Sequence, residues 1–147
     1  MIAVLIPTYG RADRLARVAA NIADATETGH RVVFAVEADD TASIDVASGL
    51  DVDVVVNEGR PNYSGAITTA YRETTAEYVF AGADDLNFHP GWDTAALALM
   101  DGWVQVVGTN DLLNPYVTAG LHATHYLVDR RYLDEVETCF LRHPQRV

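Results

Sequence analysis

The stretch Tyr78 to Asp93, YVFAGADDLNFHPGWD, opens as an apolar strand, breaks at Gly82 and then offers two adjacent carboxylates, Asp84 and Asp85. Adjacent acids at a strand exit do one of two things. They grip a hard cation such as Mg2+ or Mn2+, which prefers oxygen ligands and takes one or two carboxylates together with substrate phosphates, or they cap a turn. A second acidic group, VEADD, puts Glu37, Asp39 and Asp40 at the end of another apolar run. Like charges held close destabilise one another unless they are solvated or neutralised. These companion acids strengthen the cation reading, in which Asp84 and Asp85 clamp a metal on a diphosphate.

His122 and His125 stand three apart in GLHATHYLVD. That spacing separates them on a strand and joins them on a helical turn. His125 is the preferred metal ligand of the two, because it directly precedes an apolar strand expected to return to the acidic rim. His89 reads as a turn residue. Trp92 either packs over the sheet edge or stacks on a sugar or base, and Tyr9 and Tyr63 are loop aromatics open to the same two uses. Cys139, the single cysteine, has no activating neighbours and excludes an intrachain disulfide or a cysteine zinc cluster.

The chain has 147 residues, 49% hydrophobic and 21% charged, and a net charge of −11. One domain spanning 1–147 is expected, with enough chain for one core. The negative charge argues against nucleic acid as a partner, since that binding runs on clustered Lys and Arg. A phosphorylated ligand would need its repulsion offset, and a divalent cation does so. No apolar run approaches the roughly 18 residues of a membrane helix. The N-terminal run carries no basic leader, so a cytoplasmic protein is expected.

Strands and helices alternate along the chain. The pattern predicts strands at Ile2–Pro7, Arg31–Glu37, Asp51–Asn57, Glu77–Gly82 and Trp103–Gly108, and a sixth in ATHYLVDR. Helical patterns fall between them, with Leu15, Val18, Ala19 and Ile22 on one face of the first. HPGWDTAALALMD reads as an apolar helix and RRYLDEVE as a short closing one. The expected fold class is α/β, a three-layer Rossmann-like arrangement with a mostly parallel central sheet. Such sheets bind ligands beyond the carboxyl ends of their strands. Here the polar clusters PTYGR, EADD, NEGRPNYSG and GADD all fall at such ends. The turn after the first strand lacks GxGxxG and GxxxxGK[ST], and no GxSxG occurs, which argues against a dinucleotide fold, a P-loop and a hydrolase nucleophile elbow.

The order of these features resembles the family 2 glycosyltransferases, which have the nucleotide-sugar-binding GT-A fold. The residues that carry the resemblance are LIPTYGR (Leu5–Arg11), VEADD (Val36–Asp40), NEGRPNYSGAITTAY, FAGADDLNFHPGW and YLVDRRYLDEV. It implies transfer of a sugar from a nucleoside-diphosphate sugar of UDP or GDP type to an unknown acceptor, with Mn2+ or Mg2+. It implies nucleotide contacts from Pro7, Thr8, Tyr9, Arg11, Glu37, Asp39 and Asp84, and a metal held by Asp84 with Asp85 and His125 close by. Two positions depart from the family pattern. Gly82 stands where the first acid of the DxD signature is usual. The second-half acidic motif that supplies a general base is not found, which leaves Asp111 in GTNDLLNP as the substitute base. The acids of LDEVE (Leu133–Glu137) are expected on the closing helix instead. The alternative is a nucleotide-sugar-binding module that lacks the acceptor segment.

Overall fold

Alternation of side chains along the first strand gives the sheet two apolar faces, and each must be covered. In the computed structural model, which describes residues 1–103 and 105–136, the elements run β1 (Ile2–Thr8), α1 (Ala12–Ala25), β2 (His30–Glu37), α2 (Thr41–Ser48), β3 (Asp53–Asn57) and α3 (Tyr63–Glu73). They continue with β4 (Tyr78–Ala81), α4 (Trp92–Leu97), β5 (Val106–Thr109), α5 (Pro115–Thr118), β6 (His125–Asp129) and α6 (Arg130–Val136). Ile2, Val4 and Ile6 of β1 pack with Leu15, Val18 and Ile22 of α1 on one face. Ala3 and Leu5 pack with Ile67 and Ala70 of α3 and Leu133 of α6 on the other. The result is the expected three layers. Glu137 and Cys139 lie outside the described residues.

The six strands form one sheet in the order β3-β2-β1-β4-β6-β5. β1, β2, β3 and β4 are parallel neighbours, while β6 runs antiparallel to both β4 and β5. The chain winds outward from β1 to β3 and then crosses back to place β4 on β1's other side. That crossing is the switch point at which such sheets open a crevice. The reversal of β6 has its own consequence. His125 begins the strand, yet it stands level with the carboxyl end of β4, where Ala81 faces Tyr126.

Most boundaries shift by one or two residues, two elements shift further, and one helix is new. β5 starts at Val106, because Asp101 accepts from the Trp103 amide at 3.0 Å and holds a turn there. Trp103 is 94% exposed and belongs to no strand. α4 ends at Leu97, short of the expected Asp101. The short helix α5 was not expected, although Asn114 caps it and Pro115 opens it, both ordinary start signals.

The segment between β4 and α4 is pinned to the end of α1. Asn21 exchanges two hydrogen bonds with the Phe88 backbone, Gly91 N donates to Ala25 O, and Trp92 Nε1 donates to Thr26 Oγ1. Trp92 therefore packs, its ring 4.7 Å from Phe80 and 5.2 Å from Phe88. Asp93 is fully buried and accepts from Thr28 Oγ1 at 2.6 Å, Thr28 N at 2.8 Å and Glu27 N at 3.2 Å. Among the described residues, no helix is long and apolar enough to cross a membrane.

Burial pushes the Asp93 carboxyl up, but its hydrogen bonds from Thr28 and Glu27 outweigh that and hold it below the usual carboxylate range. A lowered folded-state pKa contributes stability above the unfolded value of about 4, which is lost as pH falls through the folded value. Asp93→Asn should therefore cost about 1–3 kcal/mol at pH 7. Urea denaturation at pH 7 and at pH 3 should show the variant losing less stability over that interval than the parent protein.

Candidate functional site

Three strand ends and the start of α3 meet in one cavity of about 520 Å³. β1 and the turn after it supply Pro7, Thr8, Tyr9 and Arg11. The end of β2 and the turn after it supply Glu37 and Asp39, and the loop after β4 supplies Asp84 and Asp85. Pro61, Asn62, Tyr63 and Ala66 close it from the start of α3. Only glycine fits at position 65 of that helix, since a Cβ there would come within 2.0 Å of Arg60 O.

Asp84 is 3% exposed and both its oxygens are taken. Thr8 Oγ1 donates to Oδ2 at 2.8 Å, and Arg11 Nη1 donates to Oδ1 at 2.7 Å. The hydrogen bond to Asp84 raises the pKa of Arg11. Asp85 differs. Its side chain is 59% exposed, and Arg11 stands 4.0 Å away. Gly82, at the position of the missing acid, lies against the core. A Cβ there would come within 2.8 Å of Ile6 Cδ1 and 3.2 Å of Phe80. Tyr63 Oη donates to the Gly82 carbonyl at 3.0 Å.

The other rim acids are held in different ways. Asn57, buried at the end of β3, donates to Glu37 Oε1 at 2.8 Å and to Arg60 O, and accepts from Gly59 N and Thr69 Oγ1. It orients Glu37 toward the cavity, a role that sequence reading missed although NEGR was visible as a polar strand end. Tyr9 Oη donates to Asp39 Oδ2 at 3.3 Å, and the Asp39 charge raises the pKa of Tyr9. Asp40 is spent on structure: it accepts from Gly10 N at 2.7 Å and from Ser43 N at 3.2 Å, capping α2. Burial pushes its carboxyl up, and these hydrogen bonds bring it down overall.

Asp111 and His125 lie elsewhere, on a second cavity of about 750 Å³ that Asp85 also lines. Asp111 Oδ1 accepts from the amides of Leu113 and Asn114, and Oδ2 accepts from Thr124 Oγ1. The Asn114 amide does most to lower its pKa. Asp111 thus caps its own loop, and it lines the second cavity rather than the first. His125 Nδ1 lies 3.0 Å from the Ala81 carbonyl. A carbonyl only accepts, so in the neutral ring Nδ1 carries the proton and Nε2 keeps its lone pair.

The expected metal set of Asp84, Asp85 and His125 does not assemble. Among the described residues, no group of three or more His, Cys, Asp or Glu side chains could hold a metal ion. Asp84 accepts from Thr8 and Arg11, and His125 lines the second cavity rather than the first. The donor set fits a divalent ion in one way, with Asp85 as the single protein carboxylate and substrate phosphates and water completing the shell. The arginine pair lies at the opposite rim. Arg130 donates to the carbonyls of Ala76 and Thr74, which precede β4, and Arg131 pairs with Asp129 at 2.5 Å.

The family model for glycosyl transferase family 2 matches residues 3–135. The chain belongs to this family. Its fold is that of GT-A glycosyltransferases. It is similar to a mannosyltransferase from Pyrobaculum calidifontis solved with GDP-Man and Mn2+, with a TM-score of 0.78 and 18% identity over 93% of this chain and 46% of that one. It is also similar to the glucosyl-3-phosphoglycerate synthase of Mycobacterium tuberculosis solved with Mn2+, UDP and phosphoglyceric acid. There the TM-score is 0.70 and the identity 18%, over 90% of this chain and 57% of that one. The chain thus spans roughly half the length of these solved structures. No curated protein matches it significantly.

The two neighbouring acids should respond differently to substitution. Arg11→Met leaves the buried Asp84 with Thr8 alone and should cost about 1–3 kcal/mol in urea denaturation. Asp85→Asn should stay within about 0.5 kcal/mol of the parent. Equal costs would show that Asp84 does not depend on Arg11.

Proposed function

We propose that this domain binds a nucleoside-diphosphate sugar, of UDP or GDP type, and transfers the sugar to an acceptor hydroxyl. The observation that carries this reading is the convergence of Thr8, Arg11, Glu37, Asp39 and Asp85 from three strand ends on one cavity. Glu37 and Asp39, held by Asn57 and Tyr9, face the base and ribose. Pro7 and Thr8 form the wall along which the nucleotide lies. Arg11 supplies the positive charge at the diphosphate, and Asp85 holds Mn2+ or Mg2+ against it.

Four carboxylates line this cavity, Glu37, Asp39, Asp84 and Asp85, and Arg11 neutralises one of them. A diphosphate entering such a site needs a further cation to balance it. A bound divalent ion would offset the charge that builds on the leaving diphosphate. In the transfer itself, the acceptor oxygen bonds to the sugar's C1. The bond from C1 to the phosphate oxygen breaks, and its electron pair leaves with the nucleoside diphosphate. The acceptor proton passes to His125 Nε2, the nitrogen left free by the Ala81 hydrogen bond. A second reading, donor binding without transfer, draws on the capping role of Asp111.

Calorimetric titration of UDP, GDP and their sugars, with and without Mn2+, tests the donor site. One nucleotide should bind, about tenfold or more tightly with Mn2+, and Asp85→Asn should remove that increment. Absence of binding by every nucleotide would end the reading. His125→Gln should lower transfer by about 10²-fold or more at unchanged donor affinity, while Asp111→Asn should change it only a few-fold. Tight donor binding with neither transfer nor hydrolysis would establish the second reading.

A further inference from the structure

The second cavity is distinct in character from the first. It is about 750 Å³, within the size range of small-molecule sites. Phe80, Phe88 and Trp92 give it an aromatic wall, built from the cluster that joins β4 to α4. Leu99, Leu112 and Leu113 complete the apolar lining and are 62%, 61% and 91% exposed. Three large aliphatic side chains exposed around one opening form a patch rather than a scatter, and such patches mark binding sites. Leu112 adopts φ 61°, a conformation that a leucine rarely takes.

The polar side chains connect this cavity with the first. Asp85 lines both. His125 lines the second and is bonded to Ala81, three residues before Asp84. A molecule seated here would meet an apolar surface along its body, the His125 imidazole on the cavity wall, and the Asp85 carboxylate where the two cavities adjoin. We propose that this cavity is the acceptor site and that it takes an amphipathic alcohol. The apolar body, an alkyl chain or aromatic ring, lies on Trp92, Phe88 and Leu113, and the hydroxyl points to His125 Nε2. Naming the occupant an acceptor rests on the donor-site reading above; the amphipathic chemistry rests on the cavity alone.

The test compares n-octyl β-D-glucoside, kept below its micelle-forming concentration, with methyl β-D-glucoside. The chain has two tryptophans. A Trp103→Phe background leaves Trp92 as the fluorescent reporter inside the cavity. The octyl compound should bind at least about tenfold more tightly than the methyl one. Leu99→Glu and Leu113→Glu, both at exposed positions, should reduce octyl binding to the methyl level and leave donor affinity unchanged. The same pair supplied as acceptors should show the same preference in KM. Equal binding of the two glucosides would overturn the proposal. So would octyl binding that the glutamate variants leave intact, or an effect of those variants confined to self-association measured by sedimentation. Donor titration on the same samples separates the two readings, since octyl binding without donor binding would sink the donor site and keep the amphipathic one.

Discussion

Asp84 is a carboxylate removed from water, and it is tolerated there because two donors from one turn neutralise it. Thr8 ends β1 and Arg11 precedes α1, so their hydrogen bonds to Asp84 tie the β1–α1 turn to the loop after β4. β1 and β4 are parallel neighbours at the switch point of the sheet, and the Gly82 amide extends their ladder to the Leu5 carbonyl at 2.9 Å. An uncompensated buried charge is costly, while a paired and hydrogen-bonded one is tolerated. The floor of the first cavity depends on this arrangement. It also presents Asp85 toward solvent, 4.0 Å from Arg11.

The rim shows how a protein can hold many acids without wasting them. Asp40 caps a helix, Asp84 anchors a turn, Asp111 caps a loop, and Glu37 is aimed by Asn57. Asp39 and Asp85 keep exposed carboxylates beside the only arginine that lines the cavity among the described residues. Charge balance therefore favours a ligand that arrives with its own cation. The single reversed strand adds a second cavity to this rim. β6 brings His125 level with Ala81, and the apolar loops around β5 build a cavity beside the polar one. The polar and the apolar cavity are thus separated in space and joined at Asp85.

The fold was largely legible in the chain itself. Alternating apolar strands and amphipathic helices imply a parallel sheet covered on both faces, because each face must be buried. Four polar strand ends implied one functional rim, and the carboxyl-end rule needs no side-chain detail. The edges were harder to read. Trp103 and Met100 look like strand and helix residues, but an Asp101 turn and an early end to α4 take them out. Local propensity is decided there by contacts the sequence does not display.

The sequence by itself determined the layer architecture, the family pattern and the set of acids available for chemistry. Tertiary structure alone decided which acid does what. Asp84 and Asp85 are the same residue type at adjacent positions, yet one is buried in an ion pair and the other faces the cavity. The difference comes from Thr8 and Arg11, 76 and 73 positions away in the chain. Likewise, three local donors hold the Asp111 carboxylate in its loop, and the Ala81 carbonyl fixes the His125 ring. A side chain's chemistry is set by its partners, and those partners become neighbours only when the sheet closes.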